Sequence, residues 1–391
     1  MAEDETTLRI VADIAEIDAA AWDALLAAQA DASPFMRHAY LHAMQASGSA
    51  VTDTGWTARV LTLWQGSTLQ AACALYLKTH SYGEYVFDWA WADAYHRHGL
   101  PYYPKAVIAP PFTPVPGARL LARDAASRAA LLRAAVAWCE SEELSSLHLL
   151  FGGDADVAAC ADAGLMLRHQ VQFHWHNARP ADGLPFTDFD DFLAGLAQDK
   201  RKKIRQERRK VADAGVRFRC AQGLGIGAAD WDFFYRCYER TYLEHGNAPY
   251  LARSFFADMA RTMPEHWLLF VAEQDGRPMA CSLVALEPAQ GVAYGRYWGA
   301  LARVDCLHFE ACYYQPLQWC IAQGYRRFEG GAQGEHKMAR ALMPVRTSSA
   351  HWLAHPAFAE AVERFLEREG EGVDHYLAEL AQRTPFRQPA A

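Results

Sequence analysis

Between Glu329 and Trp352 the chain reads EGGAQGEHKMARALMPVRTSSAHW, a run that gathers residue types needed for proton transfer and anion stabilisation. A group that takes a proton, with donors placed where negative charge develops, is the minimum equipment of acid–base catalysis. Glu335 and His336 are suited to take the proton. Lys337 and Arg340 are suited to neutralise an oxyanion or to hold a phosphate. The glycines and ionisable groups make the run a poor core strand or helix, which leaves a site loop or a surface loop with a satisfied histidine. In an extended segment neighbouring side chains alternate, so Glu335 and Lys337 would share one side and His336 would face the other.

Further candidates lie upstream. Arg296 and Tyr297 fall on an expected strand, Val292 to Trp298, and in a half-buried sheet one of them must face the cleft. Tyr297 is then a proton donor to the leaving group or a core tyrosine. Glu310, in HFEACYYQ, is either a substrate contact or a first-turn acid favoured by the helix dipole. Glu84, Asp88, Asp93, His96 and His98 are interleaved with Trp91 and other aromatics. That mixture suits a sugar or peptide platform centred on Asp88 and Trp91, or an aromatic core with surface charges. Asp88, Asp93, His96 and His98 form no recognised ligand motif, so no metal is expected.

The stretch Asp199 to Lys210, DKRKKIRQERRK, carries about +6, which leaves the rest of a chain of net charge −8 near −14. Ile204 and Val211 are seven apart on one helical face, and Gly215 supplies a stop. Lys202 and Arg205 there are candidates to clamp the phosphate of a nucleotide-linked substrate, a tRNA or coenzyme A; a solvated helix is the plain alternative. Duplex DNA is disfavoured by the acidic remainder.

These residues need a scaffold, and 391 residues with 51% hydrophobic content can supply one with more than one domain. The start, MAEDETTLRI, has neither a basic nor an apolar signal region, and no apolar run approaches the ~20 residues of a membrane span, so a cytoplasmic location is expected. Nine scattered cysteines without C-x-x-C spacing read as reduced core residues. No G-x-S-x-G, Walker or strand-borne G-x-G-x-x-G motif occurs.

Two halves repeat one order. A helix near Ala20 to Gln29, paired strands Trp56 to Trp64 and Leu69 to Lys78, a helix from Ser127 to Glu142 and a strand Leu144 to Phe151 make the first. In the second, helices near Trp231 to Tyr242 and Ala252 to Thr262 precede a hairpin turning at Asp275-Gly276. Strand Val292 to Trp298, a helix from His308 to Gln323 and a strand from Arg326 follow. The expected domains are 1–180 and 181–391, joined through Asn177 to Asp191, with the basic helix 199–212 and a helical end in the second.

The strings SYGEYVFDWAWADAY (81–95), YYPKAVIAPPFTPVPG (102–117), RKKIRQERRKV (201–211), YGRYWGAL (294–301), LHFEACYYQ (307–315) and GAQGEHKMAR (331–340) resemble the bacterial FemAB-like N-acyltransferases, a group described as peptidoglycan biosynthesis or recognition proteins. The resemblance runs from about Ser33 to Arg387. It implies an α/β (α+β) fold of tandem GNAT-like domains, each a mixed, mostly antiparallel sheet flanked by helices. It also implies transfer of an acyl or aminoacyl group to an amine, such as that of a peptidoglycan precursor, in a cleft formed mainly by the second domain. Two donors stay open. The loop R/Q-x-x-G-x-G/A that holds the pyrophosphate of acyl-CoA is absent from GALARVDCLHFE and PGARLLARDAAS, which favours aminoacyl-tRNA. The long helical arm with which Fem ligases grip tRNA is absent too. A tRNA-dependent Fem-type ligase and a non-catalytic recognition protein for cell-wall precursors are the alternatives.

Overall fold

The computed structural model describes residues 6–332 and 334–387. In chain order, β1 (Thr6–Val11), α1 (Ala19–Ala27), α2 (His38–Ala46), β2 (Trp56–Gln65), β3 (Thr68–Lys78), α3 (Trp89–Arg97), β4 (Lys105–Ile108) and β5 (Leu121–Ala122) come first. Next are α4 (Ala125–Ser141), β6 (Ser146–Gly152), α5 (Asp154–Asp162), β7 (Met166–His176), α6 (Phe189–Gly195), α7 (Gln198–Asp213), β8 (Val216–Gln222), α8 (Ala228–Glu244) and α9 (Arg253–Thr262). Then follow β9 (Trp267–Gln274), β10 (Arg277–Glu287), β11 (Val292–Ala300), α10 (Leu307–Phe309), a π-helical turn (Glu310–Tyr314) and α11 (Gln315–Ala322). The last elements are β12 (Arg327–Ala332), a 3-10 helix (Glu335–Arg340), β13 (Met343–Leu353) and α12 (Pro356–Ala381).

Two compact units emerge, and neither is one continuous stretch. The first comprises Met1–Gln170, Tyr250–Phe255 and Arg346–His375; the second comprises Val171–Pro249, Phe256–Val345 and Tyr376–Ala391.

In the first unit the antiparallel meander β1-β2-β3-β4 is followed by β6, parallel to β4, and by β13, antiparallel to β6. Long apolar strands turning at Gly66-Ser67 pair as β2 and β3, as the sequence suggests. The Asp124 carboxylate caps α4 by accepting from the Ser127 amide at 2.7 Å. Leu131, Leu132 and Ala135 of α4 then bury against Leu61, Leu75, Leu147 and Leu149, each large side chain contributing about 1.5–3 kcal/mol.

The second unit repeats this order. The meander β8-β9-β10-β11 is followed by β12, parallel to β11, and by the second part of β7, antiparallel to β12. This repeated mixed sheet, mostly antiparallel and flanked by helices, is the tandem GNAT-like fold that the resemblance implies. Ile204, Glu207 and Val211 form the buried face of α7, whose other positions are almost all charged.

Some elements depart from the sequence reading. β6 does not close the first half, because α5 and β7 follow it, and β13 extends through Leu353 before the last helix begins. The aromatic run of the first half contains the helix α3. All nine cysteines are free thiols, and six are buried, in keeping with core residues.

Candidate active site in the second unit

β11 and β12 are paired over three positions only, Val292 to Tyr294 against Arg327 to Glu329. Beyond them the strands part. Gly295 on β11 and Gly330 on β12 open a cavity of about 140 Å³ that Ser282, Arg296, Tyr297, Trp298, His308, Cys312, Tyr313 and Phe328 also line. A side chain at position 330 would require Leu342 to shift, since its Cβ would lie 2.4 Å from a Leu342 methyl group.

Two irregularities aim polar groups into this gap. On β11, Tyr297 faces Leu283 while Gly295 faces Val284, so Arg296 is the extra residue of a bulge. The alternation that would send only one of Arg296 and Tyr297 to the cleft is broken, and both line it. The second is the π-helical turn, whose extra residue per turn changes the phase of the helix, so that His308, Cys312 and Tyr313 all reach the cavity. In this stretch the sequence points to Glu310 rather than to these three, whose only signal is a His/Cys/Tyr set on a helix next to the glycine-rich run.

The segment after β12 is not extended. Glu335–Arg340 forms a 3-10 helix that buries Lys337, Met338 and Arg340. The Arg340 guanidinium fastens it, donating to the His336 carbonyl at 2.7 Å and to the Glu207 carboxylate at 2.9 Å while lying 3.7 Å over the Phe309 ring. The Lys337 ammonium donates to the Gly331 carbonyl at 2.8 Å, next to Gly330 of the cavity wall. His336 Nε2 and the Tyr313 hydroxyl are 3.3 Å apart. Glu335 turns elsewhere: its carboxylate accepts from the Tyr376 hydroxyl and the Arg383 guanidinium, both at 3.0 Å, on the exposed surface.

Burial and mutual repulsion set the charge state. Desolvation brings Lys337 down to about 8. Desolvation, reinforced by His336, Arg340 and Lys337, takes His308 down to about 4. His336 is lowered by the same kinds of cause, burial first and then Arg340 and Lys337. The Tyr313 hydroxyl is pushed up by burial and stays protonated, and burial pushes the Cys312 thiol up to about 12, which makes it a poor nucleophile. At neutral pH the site therefore presents two neutral imidazoles, a phenol donor and one ammonium close to its titration range.

The remaining candidates are not part of this cavity. Glu310 is buried with its carboxylate held by Arg208 at 3.0 Å and Gln315 at 2.7 Å, a contact that outweighs the dipole argument for its position. Lys202 and Arg205 lie on the exposed face of α7. In the first unit Asp88 and Trp91 are buried rather than forming an open platform. Asp88 accepts from the Tyr102 hydroxyl at 2.6 Å and pairs with Lys105, whose ammonium also holds Glu84 at 2.7 Å. Trp91 packs edge-on against His351, and Asp93 pairs with Arg97; among the described residues no three or more His, Cys, Asp or Glu are grouped as a metal site would require.

A family model described as FemAB-like, peptidoglycan biosynthesis/recognition, matches residues 13–388. No protein of curated function matches the chain. Among solved structures, that of FemX superposes with a TM-score of 0.55 at 10% identity, covering 92% of this chain and 100% of FemX. That of L-PGS from Bacillus licheniformis gives 0.52 at 10% identity over 89% of this chain and 97% of L-PGS. At such identities the likeness is one of fold. Among the described residues no helix is long and apolar enough to cross a membrane. With the model matched over almost its whole length, the chain belongs to the FemAB-like family of peptidoglycan biosynthesis/recognition proteins.

Proposed function

We propose that the second unit is an N-acyltransferase site in which an activated acyl or aminoacyl carbonyl lies between β11 and β12 and is attacked by an amine. The observation that carries this reading is the parting of these two strands after three residue pairs, with the ammonium of Lys337 held beside the gap. A polarised carbonyl needs donors where its oxygen becomes negative, and Lys337 and Tyr313 supply a charged and a neutral one. The amine nitrogen bonds to the carbonyl carbon, its proton passes to the neutral ring of His336, and the carbon–oxygen or carbon–sulfur bond to the carrier breaks. Tyr297 or the newly formed imidazolium returns a proton to the leaving group. Glu335, engaged by Arg383 and Tyr376, has no part in this scheme.

The family description points to the amine of a peptidoglycan precursor as acceptor. A second hollow of about 390 Å³, which shares Trp298 and His308 with the cavity and carries Arg240 and Arg303, is suited to the donor's carrier. The test is to incubate the protein with precursor peptides and, separately, acyl-CoA thioesters and aminoacyl-tRNA, reading amide formation by mass spectrometry. Product from one donor, lost in Lys337→Met while precursor binding persists, supports the proposal. Precursor binding without product from any donor would instead establish a recognition protein.

A further inference from the structure

The outer face of α7 is not accounted for by the cleft chemistry. Ile204, Glu207 and Val211 fix the inner face, so the helix is held in one rotation and Lys202, Lys203, Arg205, Arg209 and Lys210 are all directed to solvent. Among the described residues neither Arg205 nor Arg209 has an acidic partner, in contrast to Arg208, which is bound by Glu310 and Gln318. The two guanidinium groups are four residues apart, on one side of the helix, where their side chains are neighbours.

Beside them lies a groove of about 510 Å³, within the range of small-molecule sites. Its rim carries Arg205, Arg208 and Arg209, with Asp190 and the already paired Glu310 as the acids, and its floor is Phe189, Leu193, Val211, Val216 and Phe218. Cations above and apolar surface below suit a ligand of two parts. A long polyanion is disfavoured, because the rest of the chain, near −14, repels phosphates beyond the first contacts. We propose that this groove binds a compact phosphate or pyrophosphate group attached to an apolar moiety, with Arg205 and Arg209 as the phosphate ligands.

The inference does not depend on the reaction proposed for the cleft, and binding is measured without turnover, so the two can fail separately. Hexyl phosphate, inorganic pyrophosphate, hexanol and poly(U) are titrated calorimetrically into the full chain and into its Arg205→Gln/Arg209→Gln variant. Both positions are exposed, so the fold is expected to persist, as circular dichroism will verify. Hexyl phosphate should bind one site, and the double variant should weaken it at least about tenfold, as expected for loss of charge-assisted hydrogen bonds. Pyrophosphate alone should bind more weakly through the same two arginines, which identifies the apolar floor as part of the site. Equal binding of hexanol, or undiminished binding by the variant, would overturn the assignment. Tighter binding of poly(U) with a steep salt dependence would overturn it in favour of a nucleic-acid surface.

Discussion

Glu207 and Arg340 form a buried ion pair at 2.9 Å that ties the inner face of the basic helix α7 to the 3-10 helix carrying His336 and Lys337. The same carboxylate accepts from the Tyr314 hydroxyl of the π-helical turn. One acid in a run of cations thus joins the 3-10 helix to the π-helical turn, whose Cys312 and Tyr313 line the cavity. Glu207→Ala leaves the Arg340 charge uncompensated and should cost about 3–5 kcal/mol in urea unfolding, whereas Glu207→Gln, able to keep hydrogen bonds to both partners, should cost less. If Glu207 positions Lys337, Glu207→Gln will also lower kcat with little change in KM; a purely structural role would leave kcat unchanged once the protein is folded.

The pH dependence of turnover should be bell-shaped. His336 must be neutral to take a proton, and its lowered value sets a rising limb below 6.5. Lys337 must be charged to stabilise the oxyanion, so the rate falls as pH rises through about 8. Stability behaves differently. The folded-state value of Lys337 lies below its ordinary 10.5, so between about 8 and 10.5 the unfolded chain binds more protons. The Lys337 contribution to stability therefore increases with pH across that window. Lys337→Met should abolish the falling limb along with most activity and flatten this part of the stability profile. A falling limb that stays at the same pH in the residual activity would contradict the role given to Lys337.

Single substitutions should separate the site from its surroundings. Tyr313→Phe removes an oxyanion donor without altering ring packing, and a loss of about 10²–10³ in kcat is expected. His336→Ala should lower kcat by about 10²–10⁴, the contribution of a positioned base. Glu335→Ala should leave kcat within about twofold and change thermal stability only slightly, since an exposed ion pair contributes about 0–1 kcal/mol. Strong loss in Glu335→Ala with normal rates in His336→Ala would reverse these assignments.

In the first unit, Lys105 is fully buried between Glu84 and Asp88. Burial alone would push its value down, yet the two carboxylates hold it above the ordinary lysine range. Lys105→Met should destabilise the protein by about 3–5 kcal/mol, because two carboxylates lose their partner in a dry environment. Adding Glu84→Gln and Asp88→Asn should recover part of that loss. Unfolding midpoints in urea decide it, and an unaffected single variant would show that the cluster is hydrated in solution.

The order of strands and helices was legible along the chain because it follows from local patterns. The apolar run of Thr68–Lys78, the turn at Gly66-Ser67 and the seven-residue spacing of Ile204 and Val211 place hydrophobic surface without reference to distant residues. The family resemblance rests on equally local strings. Side-chain direction in the candidate site depends on contacts that local patterns do not contain. The bulge at Arg296 exists only against β10, and the π-helical turn shifts the phase that would otherwise place His308, Cys312 and Tyr313.

The glycine-rich run around Glu335 illustrates the same division. Its composition marked it as a candidate site segment and argued against a helix, and a 3-10 helix forms because Arg340 is held by Glu207, 133 residues away in sequence, and by the carbonyl of His336. Residue types and spacing determined the fold and marked this run as a candidate. Where Glu335, His336 and Lys337 point, and with what charge, was decided only by tertiary packing, since burial and long-range ion pairs set both orientation and protonation.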